Sequence, residues 1–269
     1  MKEMLEGLRI VASLILFTYA SLSDYKIREV SNKVWIIFAP PVFTLTLIGL
    51  YVYEVSQLPF YGMSFGVTAA FAIILFYSGA FGGADAKALM CLALALPFYP
   101  ENLFAPLSRM ISPISQNFFP ITVFSNGVLL AAATAGYMFL NNILWHKRTG
   151  KKLFDEGLKN ESFGKKILVL ITGYKVSVNK LKEKWHIYPL EDIEESAENC
   201  FKRKLVVIPR DEGRNATVER LSRAIETKKI DDTIWATPGL PLLIFMTAGL
   251  IITLFFGDII WVFLRLLLG

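Results

Sequence analysis

Residues 64–98 read SFGVTAAFAIILFYSGAFGGADAKALMCLALALPF. Two apolar runs, each with the composition of a membrane-spanning helix, are joined through Gly82-Gly83-Ala84-Asp85. An ionised carboxylate is costly to bury in hydrocarbon. Asp85 therefore marks either the end of a span or a functional site within one.

The bulk composition agrees with a membrane chain. Of 269 residues, 54% are hydrophobic, which is typical of an integral membrane protein rather than a soluble one. The formal net charge of +5 is unevenly placed, with long stretches free of Lys and Arg and one block crowded with them. Two cysteines, Cys91 and Cys200, are too few for a disulfide framework or a Cys-rich metal site. One lies in an apolar run and the other in a charged segment, so no bond between them is expected. The first apolar run lacks a small-residue cleavage pattern and ends in Asp24-Tyr25-Lys26, so no cleavable signal peptide is expected.

A bilayer core of about 30 Å needs about 20 apolar residues in a helix. Six segments qualify as candidates: residues 8–22, 34–53, 62–78, 86–97, 119–145 and 240–268. The fourth is short, so it starts within the membrane or is buried among the others. Pro40-Pro41 predicts a kink in the second. The expected fold is a polytopic α-helical membrane protein of six transmembrane helices, with a small α+β soluble domain inserted before the last. The domains are then 1–145 (helices one to five), 146–233 (soluble) and 234–269 (the sixth helix). Within the polar segment, KILVLITGYKVSV predicts a hairpin about Thr172-Gly173. WHIYPL and KLVVIP predict strands, and LEDIEESAENC and TVERLSRAIETKK predict polar helix or loop. No internal repeat is present.

The positive charges predict an orientation. The loop after the first span carries Lys26, Arg28 and Lys33, the third loop carries Lys87, and the polar domain opens on His146-Lys147-Arg148 with Lys151 and Lys152 following. Residues 54–61 carry none, and residues 98–118 carry only Arg109. Placing the first and third loops and the soluble domain in the cytoplasm leaves Lys2, Arg9, Arg109 and Arg265 outside. A multi-pass protein of the cell membrane results, with its soluble domain on the cytoplasmic side.

In that orientation Asp24 closes the first helix and Asp85 opens the fourth on the same side. Two carboxylates at one level can share a proton, because like charges a few Å apart do not both ionise cheaply. The charged partner can then take a proton from water while the neutral one polarises a carbonyl, which is aspartic-protease chemistry. Gly82, Gly83 and Ala84 offer little bulk, so a substrate backbone or a neighbouring helix can approach. Asp85 is suited to cap the fourth helix. Lys87 has a long stem that reaches the headgroups or lies near the pair.

Plainer readings stand beside these. Taken singly, Asp24 is an ordinary solvated residue at a helix end and Asp85 a plain N-cap. Asp258, inside the sixth run, has a structural or interfacial role, and Asn126 is interhelical hydrogen-bonding glue. His146 and His186 are isolated, so neither a metal nor a cofactor is expected. The basic segment serves topology and anionic lipid rather than nucleic acid.

Gly82-Gly83-Ala84-Asp85 resembles the Gly-x-Gly-Asp signature (GxGD) of polytopic aspartyl proteases. That group includes type IV prepilin peptidases, archaeal preflagellin (prearchaellin) peptidases, presenilin and signal peptide peptidase. The resemblance is closest to the preflagellin peptidases and covers most of the chain. It is carried by SLSDYKIREVSNKVW (21–35), FGGADAKAL (81–89), FFPITVFSNG (118–127) and WATPGLPLL (235–243). It implies a membrane endopeptidase with Asp24 and Asp85 as the catalytic pair and Gly82, Gly83, Ala84 and Lys87 as supporting residues. The implied substrates are preflagellin or type IV prepilin-like precursors with class III signal peptides. They are cut at the cytoplasmic face after a short basic leader. The acidic cluster Glu191, Asp192, Glu194 and Glu195 is a candidate attractor for that leader.

Two features depart from the family pattern. The third motif position is Ala84, whose backbone does not freely take positive φ. The Cys-x-x-Cys pairs and methyltransferase region of bacterial prepilin peptidases are absent, which points to cleavage without N-methylation. TPGLP is loosely similar to the Pro-Ala-Leu motif of presenilin relatives. The alternatives are an ion- or proton-coupled transporter using intramembrane carboxylates and a membrane-tethered binding module built on the polar segment.

Overall fold

The computed structural model describes residues 1–79, 81–195, 201–207, 213–239 and 241–268. In chain order the helices are α1 (Lys2–Ile27), α2 (Asn32–Tyr53), α3 (Leu58–Tyr77), α4 (Gly83–Ala95), α5 (Pro113–Asn117), α6 (Phe119–Thr149), α7 (Phe163–Thr172), α8 (Val178–Glu183), α9 (Arg214–Glu226), α10 (Leu242–Phe255) and α11 (Ile259–Leu268). The strands are β1 (Tyr174–Ser177), β2 (Ile187–Pro189), β3 (Glu191–Glu195), β4 (Phe201–Leu205) and β5 (Thr233–Pro238). Two compact units emerge: Met1–Ala131 with Pro241–Gly269, and Ala132–Leu240.

The chain is a mostly helical membrane protein. Among the described residues, four helical stretches are long and apolar enough to cross a bilayer: α1, α2, Val55–Tyr77 containing α3, and α6. The pair α10 and α11, bent by 60°, makes a fifth if it forms one broken span. Of the six expected spans, four or five are thus supported by length and composition. The shortfall lies in the fourth. An α4 of 13 residues is about 20 Å long, well short of a hydrocarbon core of about 30 Å.

The surroundings of α4 explain how it can be so short. Ala88, Leu89, Leu92, Ala93 and Ala95 are all fully buried, and α1, α2, α3 and α10 pack around the helix. The last carbonyls of any helix lack partners within it, and such groups are costly in an apolar layer. Here the neighbours supply donors. The Thr46 hydroxyl donates to the Leu94 carbonyl at 2.8 Å, Tyr61 to the same oxygen at 3.2 Å, and Ser64 to the Pro97 carbonyl at 3.1 Å. Arg9 Nη1 adds a longer contact to the Ala95 carbonyl at 3.4 Å.

The other anchor of this unit is the crossing of α6 and α10. A Cβ added at Gly249 would lie 2.4 Å from the Val123 carbonyl oxygen, and one at Gly127 would lie 2.9 Å from that of Phe245. The two helices thus meet backbone to backbone, which only small residues allow. Asn126 adds interhelical bonds: its Nδ2 donates to Thr253 Oγ1 and to the Gly257 carbonyl, each at 2.9 Å, and its Oδ1 accepts from the Ile259 N–H at 3.1 Å. The break between α10 and α11 falls at Gly257, φ 98°, a conformation natural to glycine. Asp258 then starts α11. Its carboxylate accepts from the Trp261 N–H at 3.0 Å and from the Ser112 hydroxyl at 2.6 Å. That is a structural role. Pro40 and Pro41 lie inside an unbroken α2.

In the second unit, β5 is the centre of an antiparallel sheet ordered β1-β5-β2, and β3 pairs with β4. Alternate residues of a strand face opposite sides, and β5 is buried on both. Ile234 and Ala236 join one core with Leu181 and Leu221, while Trp235 joins the other with Leu158, Val169, Leu190 and Leu205. The domain edge drawn at Thr233 therefore falls at the start of the central strand, and the last helical stretch begins at Leu242.

Three local expectations in this unit are corrected. The predicted hairpin about Thr172-Gly173 is instead α7 followed by β1. Ser162 caps α7, accepting from the Lys165 N–H at 3.4 Å. Asn142 Nδ2 takes up its far end, donating to the carbonyls of Leu170 (2.8 Å) and Gly173 (2.7 Å). The first five residues of EDIEESAENC form β3 rather than helix or loop, because Arg203 and Lys204 on β4 neutralise Glu191 and Glu194 across the ladder. The KLVVIP strand ends at Leu205. Residues 196–200 and 208–209 of these predicted segments, and residue 240 at the expected start of the sixth span, lie outside the described residues. WHIYPL contains β2 and TVERLSRAIETKK lies largely in α9, as expected.

Candidate active site

Asp24 sits in the last turn of α1, and its carbonyl accepts the Arg28 N–H at 3.0 Å. Arg28 ends the helix in the left-handed region, φ 57° and ψ 23°. A non-glycine residue there costs roughly 1–2 kcal/mol, so the turn is held by its surroundings. Arg28 also lies within electrostatic range of the Asp24 carboxylate. Its Nε is buried and has no hydrogen-bond partner among the described residues. Three residues before Asp24, Ser21 Oγ meets Thr247 Oγ1 at 2.6 Å, tying this end of α1 to α10.

Asp85 lies in the first turn of α4. Gly82 is the N-cap, at φ −72° and ψ 157°, and its N–H donates to Asp85 Oδ2 at 3.0 Å. The carboxylate thus satisfies an orphan donor at the head of its own helix. The fit is close: a Cβ at Gly82 would stand 3.1 Å from Asp85 Oδ2. Gly83 is roomier, with Phe76 Cε2 at 3.7 Å and Lys87 Nζ at 3.9 Å from the same construction. Ala84 lies inside the helix, in right-handed conformation, and its methyl packs against the main core. The positive φ that alanine resists is not required of it.

The fold sets Asp24 and Asp85 within electrostatic range of each other. They come from opposite ends of residues 24–85, yet α1 packs on α4 and the charges of the two carboxylates are near enough to interact. Both are half-buried. Two carboxyl groups that lie within hydrogen-bond reach, directly or through one water, can hold that water and a proton between them.

Lys87 does not join them. On a helix of 3.6 residues per turn it stands about 200° round from Asp85, and its Nζ donates to Asn32 Oδ1 at 2.7 Å. That opposite face of α4 lines an open groove of about 680 Å³ with Asn32, Trp35, Pro40, Phe65 and Cys91. A second, polar cavity of about 280 Å³ surrounds Glu6, Arg9, Glu54 and Asn102. It lies near the start of α1, about 22 Å along the helix from Asp24, and plays no part at the aspartate pair.

The acidic cluster of β3 is internally neutralised: Glu191 is fully buried against Arg203 and Lys175, Asp192 pairs with Arg220 at 2.8 Å, and Glu194 pairs with Lys204. The side chain of Glu195 lies outside the described residues. A free acidic surface for a basic leader is therefore not found among the other three. No group of three or more His, Cys, Asp or Glu able to hold a metal occurs among the described residues. Arg28 and Ser21 were not singled out from sequence. Their signal was position alone, one turn either side of Asp24.

Comparisons with known proteins bear on this geometry. A family model described as the type IV leader peptidase family matches residues 11–140, which include both aspartates. A second, described as archaeal peptidase A24 C-terminus type II, matches residues 165–259. The chain is similar to the preflagellin peptidase of Methanococcus voltae, 28% identical over 249 residues, covering 89% of this chain and 91% of the relative. It is also similar to the preflagellin peptidases of Methanococcus maripaludis strain C6 (24% identical, 91% and 93% covered) and Methanocaldococcus jannaschii (23% identical, 91% and 92% covered). All these matches are peptidases, and none supports the transporter alternative.

Proposed function

Because the chain belongs to the type IV leader peptidase family, and so is a membrane protease that cleaves leader peptides, we propose that it is an aspartic endopeptidase with Asp24 and Asp85 as its catalytic pair. Its substrates are preflagellin or prepilin-like precursors, from which it removes a short basic leader. The observation that supports this reading is that two carboxylates from distant parts of the chain lie within electrostatic range of each other, one of them held by the Gly82 N–H at the head of a buried helix. No cofactor is needed for the reaction.

In the proposed reaction one carboxylate takes a proton from a water lying between the pair, and the water oxygen attacks the scissile carbonyl carbon. The other carboxyl group donates its proton to the carbonyl oxygen, giving a neutral tetrahedral diol. The first group then returns its proton to the leaving amide nitrogen. As the C–N bond breaks, a hydroxyl of the diol gives its proton back to the second group. Both carboxyls recover their starting states. The Gly82 N–H fixes the rotamer of Asp85 through these steps, and α1, tied to α10 through Ser21 and Thr247, fixes the level of Asp24.

The sidedness and the six-segment topology belong to the same proposal. Lys26, Arg28, Lys33 and Lys87 flank the two aspartates, and Lys147 and Arg148 lie in the last turn of α6. That bias favours the cytoplasmic side for the pair, with α4 as a buried half-span.

The test is conversion of a preflagellin-like precursor by the full chain in liposomes, followed by mass of the product. Asp24→Asn and Asp85→Asn should insert normally and leave the precursor uncut. Full cleavage by either variant removes that aspartate from the reaction and overturns the assignment.

A further inference from the structure

The second unit carries a helix face that no described residue covers. In α7, Phe163 is 77% exposed, Ile167 41% and Leu168 43%, and Gly164 lies among them on the same side. These four occupy about 140° of the helix circumference, an apolar stripe of the width that normally faces a core. The opposite face is already used: Val169 is fully buried with Leu158, Leu190, Leu205 and Trp235.

Two observations on this unit indicate what covers the stripe. First, Asn142 of α6 holds the end of α7 through its bonds to the Leu170 and Gly173 carbonyls. On α6, a membrane-span candidate, Asn142 falls between the exposed Tyr137 and Leu140 on one side and Trp145 and His146-Lys147-Arg148 on the other. Aromatic and basic residues mark a span's exit through the headgroups, so α7 is fastened at that level. Second, the chain from residue 146 to residue 166 carries seven Lys or Arg (147, 148, 151, 152, 159, 165, 166) against three Asp or Glu (155, 156, 161), a net +4. Lys166 Nζ is bonded to the Lys159 carbonyl at 2.7 Å, not to a carboxylate.

We propose that α7 lies on the bilayer surface, with Phe163, Ile167 and Leu168 set into the leaflet and the adjoining lysines at the phosphates of anionic lipid. An amphipathic helix with aromatic and aliphatic residues on one face and cations around it binds such a surface through buried apolar area and charge together. The helix is then a further membrane attachment for the soluble unit, in addition to α6 and the α10 segment at its two ends.

The test uses the full chain with Cys91→Ala and Cys200→Ala, labelled with an environment-sensitive fluorophore at Gly164→Cys. A Cβ at residue 164 meets nothing within 4 Å, so the label is introduced without replacing any of the apolar residues. In anionic liposomes the label should be quenched several-fold by nitroxide lipids and shielded from aqueous iodide. Adding Phe163→Glu and Ile167→Glu should reverse both effects. A label open to iodide overturns the proposal, and so does one shielded from iodide and lipid alike, the result expected if a second copy covers the stripe. None of these readouts depends on catalysis.

Discussion

Gly82 and Gly83 are adjacent and equally small, yet the structure separates their roles. In Gly82→Ala the backbone offers no resistance, since φ −72° and ψ 157° suit alanine. The difficulty is the new methyl, 3.1 Å from Asp85 Oδ2, about 0.4 Å inside an ordinary contact of ~3.5 Å. The carboxylate must swing away, and it carries with it the acceptor of the 3.0 Å bond from the Gly82 N–H. A hydrogen bond to a charged group contributes about 1.5–3 kcal/mol, and weakening it by about half forfeits ~1 kcal/mol. At about 1.4 kcal/mol per factor of ten, kcat/KM for leader cleavage should fall about five- to tenfold. In Gly83→Ala the methyl meets Phe76 and Lys87 at 3.7 and 3.9 Å, which is ordinary packing. Its rate should stay within about twofold, ~0.4 kcal/mol. The assay is a time course of precursor conversion by both variants in the same liposomes, with thermal unfolding as the control for folding. If Gly83→Ala loses as much as Gly82→Ala, or Gly82→Ala runs at full speed, the placement of the Asp85 carboxylate against Gly82 is not what sets the rate.

Gly249→Ala should lower the unfolding midpoint in detergent by overpacking α6 against α10, at a cost of about 1–3 kcal/mol, while Gly136→Ala, whose methyl meets nothing within 4 Å, should not. Thr46→Val combined with Tyr61→Phe strips both hydroxyl donors from the Leu94 carbonyl. Its thermal destabilisation should exceed the sum of the single variants, because each single leaves one donor and the pair leaves the oxygen unsatisfied, a loss of about 1–3 kcal/mol. In the second unit, Glu191→Ala leaves Arg203 and Lys175 buried without their shared partner. Burial already pulls the Lys175 ammonium below the ordinary lysine range, with Glu191 opposing. The variant should lose about 3–5 kcal/mol, read as accelerated proteolysis between α6 and α10, and Glu191→Ala together with Arg203→Met and Lys175→Met should recover part of it. Cleavage by the wild-type chain should survive prolonged chelation of divalent metals. Loss of activity that returns with added metal would contradict a carboxylate-only mechanism.

What could be read ahead of the structure follows from how local each signal is. Runs such as those in α1, α2 and α3 declare themselves by length and hydropathy, and the polar breaks at Asp24 and Asp85 mark the helix ends where those residues are found. That the two ends share a level could be inferred from charge bias, but their approach depends on α1 packing against α4. The half-length of α4 was visible in its count of apolar residues. The means by which its carbonyl end survives was not, because Thr46, Tyr61 and Ser64 lie in other helices and look like ordinary residues of apolar runs. In the polar segment, KKILVLIT has the branched composition of a strand, and its helical form rests on caps from Ser162 and from the distant Asn142. Similarly, EDIEE is a poor strand by composition and becomes one through the cations opposite. TIWATP reads as the approach to a span because it precedes one. As β5 it pairs along both edges with β1 and β2, and its faces are buried by Leu181 and Leu221 on one side and Leu158, Val169 and Leu190 on the other, all of them earlier in the chain.

The Gly127–Gly249 contact has a consequence for how this membrane unit tolerates change. Along the lipid-facing sides of α2, α3 or α6, one apolar residue can replace another and the surrounding acyl chains simply adjust. Where two main chains touch there is no such compliant medium, and any added carbon acts as a wedge. α6 and α10 are thereby fused into one strut, and those two sites accept a vocabulary of a single letter, however freely the neighbouring positions drift.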